Sequence, residues 1–181
     1  MLITSSRSCL LVIDIQEKLM KAIHEAATVI ANSAWLIEIA STLGLPVLAS
    51  EQYPKGLGPT VARLRKLLPD ELIMEKTCFS CTAEPACLER IEICGRDQFI
   101  LVGAEAHVCV LQTALGLLEH GKTVYVVADC TSSRRPRDAE LALGRMRAAG
   151  VQVVSREMVV FEWLHKAGTD QFREISRTFL R

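Results

Sequence analysis

Residues 99–109 read Phe99-Ile100-Leu101-Val102-Gly103-Ala104-Glu105-Ala106-His107-Val108-Cys109. An unbroken apolar run, closed by a glycine and followed by a helix-forming segment, marks a strand buried on both faces that hands over to a crossover helix. Helical spacing then runs over 108–119 and stops at His120-Gly121. The same unit recurs on either side. Upstream, residues 9–15 form an apolar run interrupted only by Asp14, and 29–43 carry helical spacing up to Gly44. Residues 46–49 and 72–74 give a second and third strand. Short helices are expected over 60–68, before Pro69, and over 85–94, before Gly95. Downstream, 124–128 is a fifth strand, 137–149 a helix ending at Gly150, 151–154 a sixth strand, and the remainder two helices split near Gly168.

This alternation predicts an α/β fold, a three-layer α/β/α arrangement around a six-stranded, mostly parallel sheet with right-handed crossovers. The expectation is one domain over 1–181, with no linker, low-complexity stretch or repeat. A chain of 181 residues, half of them hydrophobic and 23% charged, can build one full core.

Charge argues against polyanionic partners. The formal net charge is zero, so no global field draws the chain to nucleic acid or an anionic membrane. The one basic run, Arg134, Arg135 and Arg137, flanks Pro136 and precedes Asp138, as a solvated helix entry does. No stretch reaches the ~18 apolar residues of a membrane span, and the N-terminus leads straight into a strand without a cleavage signal. Seven cysteines, an odd number lying mostly in apolar segments, fit reduced thiols. The expected location is cytoplasmic.

In open α/β sheets, ligands bind beyond the C-terminal ends of the strands. The polar residues there are Asp14, residues 51–53, 75–77, 105–109 and 129–133. Asp14 ends an apolar strand, where a carboxylate needs a partner or a loop to cap. Lys76 follows the third strand and Cys109 opens a helix; taken singly, they read as surface and core. Together they offer chemistry. A free thiol is only a few per cent thiolate at neutral pH. An ammonium and a helix N-terminus both favour the anion, and a ~2-unit drop in pKa needs about 2.7 kcal/mol. Asp14 then takes the thiol proton and passes it to a leaving amine.

The blocks at 11–16, 50–58, 75–80, 102–114 and 128–134, in this order and spacing, resemble the isochorismatase-like cysteine hydrolases, and especially the branch called isochorismatase-domain proteins. The resemblance covers nearly the whole chain. It implies an Asp–Lys–Cys triad at Asp14, Lys76 and Cys109 that hydrolyses small amides through a thioester. It also implies a cis peptide at Ala104–Glu105, an oxyanion hole from the backbone N–H groups of Glu105 and Cys109, and a homo-oligomer. Members that process isochorismate lack the cysteine, so amide or carbamoyl chemistry is expected here. Nicotinamidases of the family bind a metal through Asp and His after the second strand. Residues 51–55 contain no His, and His24, His107, His120 and His165 are scattered. The expected enzyme therefore needs no metal or cofactor. Gln52, Tyr53, Leu57, Phe79 and His107 are expected to line the pocket. The expected partner is a small amide-like substrate.

Other signals are weaker. Cys78 and Cys81 form a C-x-x-C with no second pair to complete a zinc site. Cys87, Ile91 and Cys94 share a helical face and read as core. No G-x-G-x-x-G or P-loop is present. Trp35 and Trp163 read as packing. Two alternatives remain at this stage: a non-catalytic oligomeric interaction protein, and a redox sensor built on a low-pKa Cys109.

Overall fold

The apolar runs form six parallel strands in the order β3-β2-β1-β4-β5-β6. The computed structural model describes residues 1–180. The strands are β1 (Ser8–Ile13), β2 (Val47–Gln52), β3 (Ile73–Lys76), β4 (Gln98–Ala104), β5 (Thr123–Ser132) and β6 (Gln152–Val154). Every residue of β1, β2 and β4 is buried, as continuous apolar strands between two helical layers must be. The edge strands β3 and β6 keep exposed positions.

Between them run α1 (Glu17–Met20), α2 (Ala26–Thr42), α3 (Pro54–Leu57), α4 (Ala62–Arg65), α5 (Pro85–Ile93), α6 (Leu111–Glu119), α7 (Pro136–Ala148), α8 (Arg156–Leu164) and α9 (Asp170–Phe179). Strand alternation splits the core in two. Leu10 and Val12 of β1 face a cluster containing Leu36, Ile37 and Ile39 of α2 and Val159, Val160 and Trp163 of α8. Cys9, Leu11 and Ile13 face the opposite cluster, with Cys87 and Ile91 of α5, Ala114 and Leu117 of α6 and Met146 of α7. The expected three layers and six strands are present, and the sheet is parallel throughout.

Two elements differ from the sequence expectation. The helix expected over 60–68 shrinks to one turn, Ala62–Arg65. Thr60 is instead tied by its N–H and hydroxyl to the Glu51 carboxylate, at 2.6 and 2.7 Å, so the segment serves as an anchor. The fifth strand does not stop at Ala128 but runs to Ser132. Its register against β4 shifts between Leu101 and Gly103, a bulge that lets extra residues enter without breaking the ladder. Cys130, Thr131 and Ser132 are therefore buried in the strand, and Asp129 turns outward to accept the N–H of Arg156 at 2.9 Å at the start of α8.

Gly103 is required here. It has φ of 130°, and a Cβ would sit 2.0 Å from the Ile13 carbonyl oxygen. No other residue fits where β1 and β4 approach at this point.

The strand order reverses between β1 and β4. That reversal opens the crevice where ligands collect in such sheets. Asp14 leaves the end of β1 and residues 105–109 leave the end of β4, so both flank it.

Candidate active site

Asp14 follows β1 with φ of 51°, a left-handed conformation that is uncommon outside glycine and that Asp tolerates better than most residues. The side chain is fully buried. Its two oxygens have separate partners. Ser50, on the neighbouring β2, donates its hydroxyl to Oδ1 at 2.7 Å. Lys76 donates Nζ to Oδ2 at 2.7 Å.

Lys76 closes β3, two strands away from β1. Its long stem crosses the end of β2, and its ammonium is fully enclosed. Three acceptors satisfy its three protons: Asp14 Oδ2, Gln52 Oε1 at 2.7 Å and the Phe79 carbonyl oxygen at 3.1 Å. Burial is the largest influence and works against the charged amine, but the Asp14 charge and hydrogen bond together with the neighbouring Cys81 and Cys109 outweigh it, and the pKa stays above its ordinary value.

Cys109 lies in a π-helical turn, Ala106–Val110, that precedes α6. Its side chain is 5% exposed and faces Asp14 and Lys76. Burial, followed by the Asp14 charge, pushes the thiol well above its usual value, and Lys76 only partly offsets this. The direction runs against the resting thiolate expected from the sequence. The ammonium is committed to Asp14 at 2.7 Å, so the thiol meets a neutralised pair in a dry site rather than a free cation.

The Ala104–Glu105 peptide is cis. The Glu105 carboxylate accepts Arg134 Nε at 2.7 Å, fixing the turn between β4 and the π-helical segment. Arg134, read as part of a solvated helix entry, thus also holds this turn.

The residues expected to line a pocket take different places. Gln52 is used by Lys76 and also donates to the Thr77 carbonyl oxygen at 2.8 Å. Tyr53 is exposed, with φ of 39°. It borders a cavity of about 270 Å³ together with Lys55, Glu75, Lys76 and Glu84. Of the five, Tyr53 alone borders that cavity, and of Asp14, Lys76 and Cys109 only Lys76 does. Leu57 sits half-buried in α3. The Phe79 ring is half exposed beside the buried site. His107 Nδ1 lies 2.9 Å from Ser133 Oγ.

Ser50 was absent from the expected site residues. Its only sequence signal is a hydroxyl at the mouth of an apolar strand, and its role depends on β2 lying beside β1. Gln16 is a second such residue. It is fully buried and ties the β2 end to the α3 segment, donating to the carbonyl oxygens of Gln52 and Gly58 at 3.0 and 2.7 Å. Cys81, also fully buried, has its thiol pushed up by burial and by Asp14. Cys78, three residues earlier, is partly exposed, and all seven cysteines are free. Among the described residues, no three His, Cys, Asp or Glu side chains converge to hold a metal ion.

Comparison with known proteins follows the same lines. A family model described as the isochorismatase domain matches residues 8–158. Isochorismatase domain-containing protein 2A of Mus musculus is 37% identical over 175 residues, covering 94% of this chain and 81% of its own length. A structure described as MAR1 ribonuclease from Caenorhabditis elegans superposes with a TM-score of 0.92 at 37% identity, covering 100% of this chain and 93% of that one. The YcaC gene product of Escherichia coli, described as an octameric hydrolase of unknown specificity, gives a TM-score of 0.92 at 22% identity over 99% of this chain and 91% of that one. At that identity the likeness concerns the fold.

Proposed function

This chain belongs to the isochorismatase domain family, and from that premise we propose that it is a metal-independent cysteine hydrolase cleaving a small amide or carbamoyl C–N bond through a thioester. One observation carries the reading: a fully buried Asp14–Lys76 pair at 2.7 Å faces a nearly enclosed thiol. A buried ion pair of this kind is weak evidence for stability, since apolar residues of similar volume often serve as well or better. Placed against a nucleophile, it has a use.

The thiol rests protonated, so Asp14 acts as the base at the moment of attack. The Asp14 carboxylate takes the Cys109 proton as Sγ bonds to the substrate carbonyl carbon. The resulting oxyanion is held by the backbone N–H groups of Glu105 and Cys109. Asp14 returns its proton to the departing nitrogen, the C–N bond breaks, and an acyl-thioester remains. Water then attacks the thioester carbon and gives its proton to Asp14. Collapse expels the Cys109 sulfur, which recovers the proton. Lys76 and Ser50 hold the carboxylate in place and compensate its charge while the proton is away.

The near-closure of Cys109 favours small substrates. The C. elegans structure named as a ribonuclease raises a second substrate class, and the neutral charge of this chain offers no broad cationic track for RNA. A homo-oligomer fits the half-exposed Tyr53 and Phe79 rings at the rim of the site.

The test is a panel of small amides, carbamoyl compounds and imides, with an RNA oligonucleotide alongside. The expected result is turnover of at least one small C–N substrate, an acyl adduct on Cys109 by intact mass, and no turnover by Cys109→Ala. RNA cleavage that persists in Cys109→Ala would overturn the reading. Silence of wild type and variant alike, with no adduct formed, favours the non-catalytic interaction protein.

A further inference from the structure

The chain leaving β5 is stitched to the turn that carries Cys109. Ser133 and Arg134 follow Ser132, the last residue of β5. Ser133 Oγ lies 2.9 Å from His107 Nδ1, and Arg134 Nε donates to Glu105 Oε2 at 2.7 Å. The Ser133 carbonyl oxygen also accepts the His24 N–H at 2.9 Å, so this stretch is held from both sides. Two residues later α7 begins, and it packs against the same π-helical turn.

The three arginines at this point are not equivalent. Arg137 is committed to Glu140 at 2.7 Å. Arg134 commits only Nε, and the four N–H groups on its two Nη atoms have no partner among the described residues. Arg135 makes no side-chain hydrogen bond or ion pair among the described residues; its carbonyl oxygen accepts the Asp138 and Ala139 N–H groups at 3.1 and 3.3 Å and so starts α7. Arg134, Arg135 and Asp138 line a cavity of about 300 Å³. The two carboxylates nearby are already answered. Glu105 pairs with Arg134, and Asp138 sits in the first turn of α7, where the helix N-terminus compensates it. Arg135 is left with an uncompensated charge, and beside it Arg134 offers donors in a plane that Glu105 fixes. A guanidinium held by one nitrogen and open at the others suits a carboxylate bound side-on. A helix entry that is merely solvated has no need to orient an arginine with a buried glutamate.

We propose that the substrate of the Cys109 site carries a carboxylate, and that Arg134 and Arg135 hold it. The inference rests on the hydrolase reading and narrows it, from any small amide to an amido acid with both groups on one short chain. Glu105 links the two ends. On that reading its backbone N–H meets the oxyanion, while its side chain aims Arg134. One residue therefore sets the spacing between the scissile carbonyl and the anion. Arg134 supplies the direction and Arg135 the unspent charge.

The experiment is a calorimetric titration of the full chain carrying Cys109→Ala, at low ionic strength. The probes are malonamate, succinamate and glutaramate, each beside its neutral diamide. At least one amido acid is expected to bind roughly 10-fold or more tightly than its diamide, and Arg135→Gln is expected to remove that preference. Arg135 has no side-chain partner to lose, so this variant is expected to fold. Arg134→Lys keeps the charge without the planar fork, and is expected to weaken the amido acid while leaving the diamide unchanged. Equal binding of amido acids and diamides would overturn the proposal, as would no binding of either, or a preference that survives Arg135→Gln. Turnover by the unmutated chain separates this proposal from the hydrolase reading. Hydrolysis of diamides with no advantage for amido acids keeps the hydrolase and overturns the carboxylate site. A carboxylate preference in binding with no turnover keeps the carboxylate site and removes the hydrolase.

Discussion

Cys109 and Cys94 sit at opposite ends of one sheet, and their surroundings push them in opposite directions. Cys109 is enclosed beside a carboxylate whose cation is already committed, so its thiol is driven up. Cys94 caps a helix and is only partly buried, and the neighbouring Cys9 thiol, with the Arg96 backbone and the charges of Lys122 and Arg96, lowers its thiol to about 7. The difference teaches that a lysine near a cysteine does not by itself make a thiolate. What matters is whether the ammonium has other claims on it. On the proposed mechanism, activation of Cys109 comes during the reaction, through Asp14.

The largest expected effects lie at the hydrolytic end. Cys109→Ala and Asp14→Asn each reduce kcat/KM by roughly 10³-fold or more, and the double variant loses little further, because residues acting as a unit are not additive. Steady-state kinetics on the first substrate found checks this. Lys76→Ala strands Asp14 without its cation and costs about 3–5 kcal/mol of stability, as loss of one partner of a buried pair does; denaturant unfolding measures it.

The pH response separates the two thiols directly. At pH 7 the alkylation of Cys94 is already about half-maximal, while Cys109 stays unreactive until well into the alkaline range. Lys76→Ala, provided it folds, moves Cys109 further up, because it removes the one charge that lowers it. Peptide mapping from pH 5 to 11 gives both profiles. Thermal unfolding follows the same logic. Burial raises Cys87 to about 12 and also raises Cys81 and Cys130. A thiol whose folded pKa lies above its unfolded value contributes stability below the unfolded value, and that contribution is lost as pH rises towards the folded one. Tm is therefore expected to fall from pH 9 towards 12. Cys94 has the opposite sign: its contribution is present above the ordinary thiol value and is lost as pH falls through about 7. The smallest effect is at Ser50→Ala, which removes one hydrogen bond to Asp14 and costs about 1 kcal/mol, seen as a modest drop in Tm and in kcat.

Much of the fold was legible because its strands carry their burial in their composition. Residues 99–102 and 9–13 are apolar without alternation, and only a strand covered on both faces tolerates that. Glycines at 44, 95 and 150 marked where helices end, within a residue or two of α2, α5 and α7. The end of β5 was not legible, because the bulge opposite Gly103 depends on the close approach of Ile13, a contact between distant segments. The helix expected over 60–68 failed for a related reason: a buried Glu51 captures Thr60 and fixes the chain before the helix can start.

The site divides along the same line. The sequence alone determined which residue types stand at the strand mouths: a carboxylate after β1, an ammonium ending β3, a thiol after β4. It could do so because each strand end is a local feature, set by where an apolar run stops. The order β3-β2-β1-β4-β5-β6 was decided only in three dimensions, by how the crossovers pack. That order puts Asp14 and Cys109 on either side of the reversal point, makes Lys76 reach across β2, and brings Ser50 within 2.7 Å of Asp14. It also set the direction in which the Cys109 thiol is pushed. A pKa is a sum over neighbours and burial, and neither exists until the chain has folded.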